Sequence, residues 1–235
     1  PRVLVMTPPA PAGDVLSFRP GPTKDAISMA FTYDNRLLRN DDDDDQDEKA
    51  AERPGDFVGK ALFESRTILV TGSISDKTAR SVTAQLFALA AKSDDPILMV
   101  ISSPGGHVES GDMIHDTMKF IKPRVITLGS GWVASAGALI YVGAEKKDRY
   151  ALPNTRFLLH QPSGGAGGMA SDIEIQVREM RTMRERLNQI FADATGQSLE
   201  QIEKDTDRDF WLSAKEAVDY GLCGQIIKGQ EEIKR

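Results

Sequence analysis

The sequence predicts an α/β fold with a mainly parallel sheet, and two observations support this. Continuous apolar segments such as residues 97–101 and 125–128 lack the polar alternation of strands that face water on one side. Segments with apolar residues at helical spacing separate these strands along the chain. Strands that alternate with helices form right-handed β-α units, which implies a sheet covered on both faces.

From Phe57 onward, each expected element has a local signal. A strand at residues 67–72 ends at a glycine, and Ser75 is a suitable N-cap for a helix that Pro96 follows. The next elements are strand 97–101, helix 110–120, strand 125–128, a helix starting near Ser135 and strand 155–160. Gly196 is expected to end a long helix; Ser198 and Ser213 begin short helices, and a strand lies near Ile226.

The long helix is predicted for residues 170–194. Apolar residues follow one face, and charged residues occupy much of the remainder. Such a helix is about 37 Å long, which exceeds what one small domain covers. We therefore expect it to protrude and to pack partly against another subunit.

The first 56 residues differ in composition from the rest. Prolines and glycines interrupt residues 8–22, and an acidic run at residues 41–48 repels itself. We expect an N-terminal arm with a flexible acidic loop over residues 1–56, followed by one domain over residues 57–235. A contact with a metal or a partner is the alternative for the acidic run.

Composition excludes several classes of protein. Hydrophobic residues make up 40% and charged residues 27%, which is typical of a soluble globular protein. No apolar run is long enough to span a membrane. The single Cys223 forms no internal disulfide, and without a Cys/His cluster no metal site is expected. The net charge of −6 and the lack of a basic stripe argue against nucleic-acid binding.

Two stretches carry side chains suited to catalysis. Ser135 lies among small residues before an apolar run, and His160 closes an apolar strand, as expected for a nucleophile and its general base. The alternative interpretations are that Ser135 belongs to a tightly packed helix start and that His160 is a structural histidine. The turn at residues 103–106 has glycines that let backbone N–H groups face a substrate carbonyl. The sequence offers no candidate nucleophile for His107 to activate, and His115 is expected at the surface.

Several motifs together resemble one family, the proteolytic subunit of the Clp protease, ClpP. The resemblance covers residues 57–228. The motifs lie at residues 103–106, 116–123, 134–137, 152–154, 160–162, 172–175 and 205–209. The resemblance implies a ClpP/crotonase-like core of repeated β-α units with a protruding handle, formed by a strand at residues 164–168 and the long helix.

The resemblance also implies the roles of the site residues. Ser135 is the nucleophile, His160 the general base and Asp209 the carboxylate that orients it, whereas the residues alone do not distinguish Asp209 from Asp205 or Asp207. The backbone N–H groups of Gly106 and Ala136 form the oxyanion hole. The implied reaction is hydrolysis of peptide bonds through an acyl-enzyme.

Assembly and partners follow from the same resemblance. Subunits form seven-membered rings that stack as a tetradecamer, and Asp172 and Arg208 match an ion pair across the ring-ring interface. A Clp unfoldase of the AAA+ class feeds unfolded polypeptides and uses the ATP, so this chain itself needs no cofactor. The expected compartment is the bacterial cytoplasm, or the stroma or matrix for an organellar member.

The sequence departs from the family at two places. Trp132 and Ala136 flank Ser135 where a glutamine and a methionine are common, so the peptide preference is open. Leu98, Val100 and Ser130 replace residues that help to receive the unfoldase, which predicts weaker docking. A ring subunit that needs a paralogue for activity is one alternative function. An enoyl-CoA hydratase-like enzyme is another, which the Ser135, His160 and Asp209 set disfavours.

Overall fold

The structure is a computed structural model that describes residues 54–234, so the predicted N-terminal arm lies almost wholly outside the described residues. The helices are α1 Pro54–Glu64, α2 Asp76–Lys92, α3 Val108–Phe120, α4 Ala136–Tyr141, α5 Ala170–Thr195, α6 Leu199–Asp205 and α7 Ala214–Tyr220. The strands are β1 Thr67–Thr71, β2 Ile97–Ser103, β3 Val125–Ala134, β4 Arg149–Ala151, β5 Arg156–Leu159, β6 Phe210–Ser213 and β7 Gln225–Ile226.

The sheet is parallel except at one edge, and it divides along β3. The order is β1-β2-β3-β4-β7, with all these neighbours parallel. The first part of β3 pairs with β4, whereas its last residues, Trp132 to Ala134, pair with β5. The short β6 then joins β5 in antiparallel orientation. This branch carries the chain segments next to Ser135, His160 and Asp209.

The two faces of the sheet differ, because helices cover one of them whereas strand, loop and C-terminal residues bury most of the other. The main core lies on one face, where Met99 and Ile101 pack under the helices. The other face has a small cluster of strand and C-terminal residues, and no helix within residues 54–234 contributes to it. Leu69 on that face remains 46% exposed. Buried strands do have two apolar faces, but their apolar pattern does not say whether the same chain covers both.

Helix boundaries agree with the local sequence signals. The side chains of Ser75, Ser198 and Ser213 each accept a hydrogen bond from a backbone N–H in the first turn of the helix that follows. Gly196 ends α5 in the left-handed conformation with φ of 82°, which a glycine adopts without a Cβ clash. The predicted caps are therefore confirmed.

Helix α5 is covered only in its second half. Residues 170–179 are exposed throughout, and the buried positions begin at Leu187. Ile173, Ile175 and Val177 present apolar side chains in the exposed half. The segment 160–169 before α5, where the strand of the handle is expected, pairs with no described strand of this chain. The helix thus has the length and the uncovered apolar surface expected of a handle.

None of the helices within residues 54–234 combines the length and the apolar character that a membrane-spanning helix requires.

Candidate active site

Ser135 occupies a strained turn between β3 and α4. Its backbone has φ of 53° and ψ of −121°, a region that residues with a Cβ rarely adopt. The Ser135 N–H donates to the carbonyl of Leu158 over 2.9 Å, and α4 begins at the next residue. Strain of this kind costs about 1–3 kcal/mol and is concentrated at functional sites. The outlier therefore supports a functional interpretation of Ser135 over a packed helix start.

The glycine turn after β2 lies directly against Ser135. A Cβ on Gly105 would come within 2.6 Å of the Ser135 Cβ and 2.9 Å of the Ala134 carbonyl oxygen. Gly106 has the same restriction, since a Cβ there would be 2.2 Å from the carbonyl oxygen of Ile74. Both glycines have positive φ, 96° and 152°. Only glycine fits these positions, which brings the turn's backbone next to the serine.

Substituting alanine for Gly105 tests this close contact. We expect a loss of about 1–3 kcal/mol in stability, because the positive φ and the contact with Ser135 both penalise a Cβ. Peptide hydrolysis should fall about 100-fold, as expected when a reacting group moves by about 1 Å. Gly165→Ala is the matched control, since a Cβ there meets nothing within 4 Å. Melting temperature and kcat/KM measured on both variants check the prediction, and equal values would contradict it.

His160 and Asp209 meet as the next cross-strand pair beyond the β5–β6 ladder. The last ladder pair is Leu159 opposite Phe210, so antiparallel geometry brings residues 160 and 209 together. His160 Nδ1 lies 3.0 Å from Asp209 Oδ1. This hydrogen bond fixes the orientation of the imidazole and leaves Nε2 free to exchange a proton. Strand β6 was missed by the sequence analysis, although the apolar run Phe210–Leu212 after Asp209 is its signal.

Ser135 and His160 line one cleft, together with mainly apolar side chains. The cleft is formed by Val108, Ser135, Ala136, Leu139, Leu159, His160, Pro162, Leu187 and Phe191. No hydrogen bond joins Ser135 Oγ to His160 in this structure. Such bonds are often long without substrate and shorten in the reactive complex. The arrangement provides an apolar pocket beside a hydroxyl and a fixed imidazole.

The two backbone N–H groups predicted for the oxyanion hole belong to Gly106, in the turn after β2, and to Ala136, the residue after Ser135. Gly105 and the Ala136 nitrogen are in close contact, since a Cβ on Gly105 would be 3.1 Å from that nitrogen. Within residues 54–234, neither the Gly106 N–H nor the Ala136 N–H donates a hydrogen bond to another protein group. Free donors beside a nucleophile are what an oxyanion requires.

The remaining predicted residues lie away from this cleft. Asp172, in the first turn of α5, and Arg208, in the loop before Asp209, are both exposed, and the structure does not pair them within the chain. His107 is near Asp76 and Glu109 and does not line the cleft. Among residues 54–234, no group of His, Cys, Asp and Glu side chains is arranged to hold a metal ion.

His115 corrects one expectation, because it is buried and not at the surface. Only 4% of it is exposed, and its Nδ1 lies 2.9 Å from Asp116 Oδ1. It follows Gly111 by one helical turn, and both lie on the buried face of α3. The neighbouring acidic residues suggested exposure, but the helical position decides burial.

The chain matches the family model described as Clp protease over residues 50–230. It is 61% identical to the ATP-dependent Clp protease proteolytic subunit 3 of Rhizobium meliloti, over 83% of this chain and 100% of that protein. It is 59% identical to the proteolytic subunit 2 of Pseudomonas aeruginosa, over 75% of this chain and 90% of that protein. Solved ClpP1 from Listeria monocytogenes shares 50% identity and a TM-score of 0.69, over 75% of this chain and 99% of that one. The chain belongs to the Clp protease family, as a proteolytic subunit of the ClpP type.

Proposed function

We propose that Ser135, His160 and Asp209 are the catalytic triad of this serine endopeptidase. His160 Nε2 removes the proton from Ser135 Oγ as the oxygen attacks the peptide carbonyl, and Asp209 holds the Nδ1–H tautomer. The N–H groups of Gly106 and Ala136 stabilise the negative oxygen of the tetrahedral intermediate. His160 then protonates the leaving amine, and a water molecule hydrolyses the acyl-enzyme. The 3.0 Å contact of His160 with Asp209, beside a cleft lined by Ser135, carries this proposal.

Covalent labelling tests the nucleophile directly. A fluorophosphonate probe reacts only with an activated serine, so we expect one adduct per chain, located on Ser135 by peptide mass spectrometry. The label should disappear in Ser135→Ala and be retained in Ser163→Ala, which alters an exposed serine after the His160 strand. Labelling elsewhere, or none in an assembled wild-type particle, would contradict the assignment.

The apolar cleft predicts the residue that precedes the scissile bond. Leu139, Leu159 and Phe191 offer no partner for a charged side chain. An unpaired carboxylate buried there costs several kcal/mol, so we expect leucine before the bond to be cleaved about 100-fold faster than aspartate. A set of fluorogenic peptides that differ only at this residue measures kcat/KM. Equal rates for the two peptides would contradict the pocket assignment.

We propose that the chain assembles into heptameric rings stacked as a tetradecamer, with Asp172 and Arg208 forming an ion pair across the stacked rings. Exposed apolar side chains support self-association: Ile173, Ile175 and Val177 in the first half of α5, and Leu69 on the second face of the sheet. Apolar side chains that are exposed next to one another often belong to a protein interface. A mixed ring that contains a paralogous subunit is a second form of this assembly. It is supported by the names of the relatives, proteolytic subunits 2 and 3, because the numbers indicate more than one such subunit.

We propose that an AAA+ Clp unfoldase supplies unfolded chains and uses the ATP, so that this chain needs no cofactor of its own. We expect this complex in the bacterial cytoplasm, or in an organellar stroma or matrix. Val100 is half-buried on the second face of the sheet, next to the buried Leu98. With aliphatic residues at both positions we expect weak docking, and Val100→Tyr should tighten it about tenfold through added aromatic contact. Unfoldase affinities measured on the wild-type particle and on this variant check the prediction. Tight binding by the wild type would contradict it.

A further inference from the structure

Asp209 belongs to the loop at residues 206–209, and the hydrogen bonds of the β5–β6 ladder do not reach this loop. The β5–β6 ladder ends at the pair Leu159–Phe210, one residue before Asp209. Before Asp209, the chain leaves α6 at Asp205 and turns at residues 206–208. The ladder brings residues 160 and 209 close together, and contacts outside it complete the positioning of the carboxylate that bonds His160.

Gln161, the residue after His160, provides the first of these contacts. Its backbone N–H donates to the carbonyl of Thr206 over 2.7 Å. Its side-chain Nε2 donates to the carbonyl of Asp207 over 2.6 Å and lies 3.4 Å from Asp207 Oδ1. The strand that carries His160 is thus joined directly to the loop that carries Asp209.

Helix α5 provides the second set of contacts, from two residues one helical turn apart. Arg184 Nη2 lies 3.2 Å from Asp207 Oδ1. Asn188 Oδ1 accepts a hydrogen bond from Thr206 Oγ1 over 3.0 Å, and both of these residues are buried. Asp207 therefore accepts hydrogen bonds from both Gln161 and Arg184. The same helix contributes Leu187 and Phe191 to the wall of the cleft.

We propose that Gln161, Arg184 and Asp207 are positioning residues that hold Asp209 in register with His160, an inference that rests on the proposed triad. None of the three lines the cleft, so each acts through the loop and not on the substrate. The Arg184–Asp207 pair is partly exposed, and such pairs contribute little to stability. Its effect should therefore appear in the turnover number, because a displaced carboxylate no longer orients the imidazole that takes the proton.

Steady-state kinetics on the assembled particle test this proposal. We expect Arg184→Ala and Asp207→Ala each to lower kcat about tenfold with KM unchanged, since a short peptide binds in an unaltered cleft. The double variant should be no slower than either single variant, because both changes break the same contact. Arg184→Lys should keep kcat within about threefold of wild type, as it retains the cation. Arg80→Ala, which removes an exposed charge on α2, is the control and should leave kcat unchanged.

Light scattering on every sample separates positioning from assembly. Gln161→Leu leaves α5 unaltered and must reproduce the tenfold loss of kcat in a particle of wild-type size, even where an Arg184 variant dissociates. Turnover within twofold of wild type for Gln161→Leu and Asp207→Ala, losses confined to KM, or no rescue by lysine would each overturn the inference. Ser135→Ala and Asp209→Asn are measured in parallel: if these two variants remain active, the proposed triad fails, and if they alone lose activity, only the positioning role fails.

Discussion

Replacing Ser135 with glycine is expected to abolish peptide hydrolysis and to make the protein more stable. The turn between β3 and α4 holds Ser135 at φ of 53° and ψ of −121°, where only glycine avoids a Cβ clash. Relief of about 1–3 kcal/mol of strain exceeds the added flexibility of an unfolded glycine, so we expect a net gain of about 1 kcal/mol. Removing the nucleophile of a serine peptidase costs about 10⁶-fold in kcat, which would leave no measurable turnover.

Ser135→Ala separates the two effects, because alanine removes the hydroxyl but retains the Cβ. We expect the same loss of hydrolysis with a stability close to that of wild type. In a domain of this size a gain of 1 kcal/mol corresponds to about 2–4 °C in melting temperature, measured on particles of equal size. A glycine variant no more stable than the alanine variant would show that the turn at Ser135 is unstrained. Residual turnover in both variants would remove Ser135 from the mechanism.

The local signals of the fold could be taken from the sequence, whereas its long-range pairings could not. Ser75, Ser198 and Ser213 begin helices as predicted, because capping is decided by a few neighbouring residues. Strand β6 is four residues long, and its partner β5 is about 50 residues away in the chain, so its short apolar run does not say which strand it pairs with. That strand and C-terminal residues, and not helices, pack on the second face of the sheet could not be predicted for a related reason. A strand with two apolar faces has the same sequence whether a helix or another segment covers it.

The candidate site shows the same division between local and long-range information. Ser135 is a catalytic candidate from the sequence because of its small neighbours, and His160 because it lies at the end of a strand. Three aspartates in five residues gave no basis for choosing a carboxylate without the family resemblance. In the structure each has a separate partner: Asp205 accepts from the hydroxyl of Tyr220, Asp207 from Gln161 and Arg184, and only Asp209 lies beside His160. These partners are set by packing across the β5–β6 edge, which no sequence pattern in the loop records.

Asp209→Asn should lower kcat about 10⁴-fold while the particle remains assembled and folded. The amide has nearly the shape of the carboxylate, so the 3.0 Å contact with His160 Nδ1 can be kept. It lacks the charge that stabilises the imidazolium, and its NH₂ group can hold the imidazole in the wrong tautomer. Because the side chain of Asp209 is largely exposed, its replacement should change stability little.

Asp205→Asn is the matched control, since it makes the same chemical change four residues earlier in the chain. Asp205 bonds Tyr220 and Gln201, which belong to α7 and α6 and not to the cleft. We therefore expect kcat of this variant to stay within about threefold of wild type, with any cost appearing as a lower melting temperature through the lost Tyr220 contact. Peptide turnover and melting of both variants, measured at one pH and one particle size, distinguish the two roles. A larger loss of kcat in Asp205→Asn than in Asp209→Asn would mean that the orienting carboxylate is not Asp209, because the identical substitution can differ only through the partner each aspartate holds.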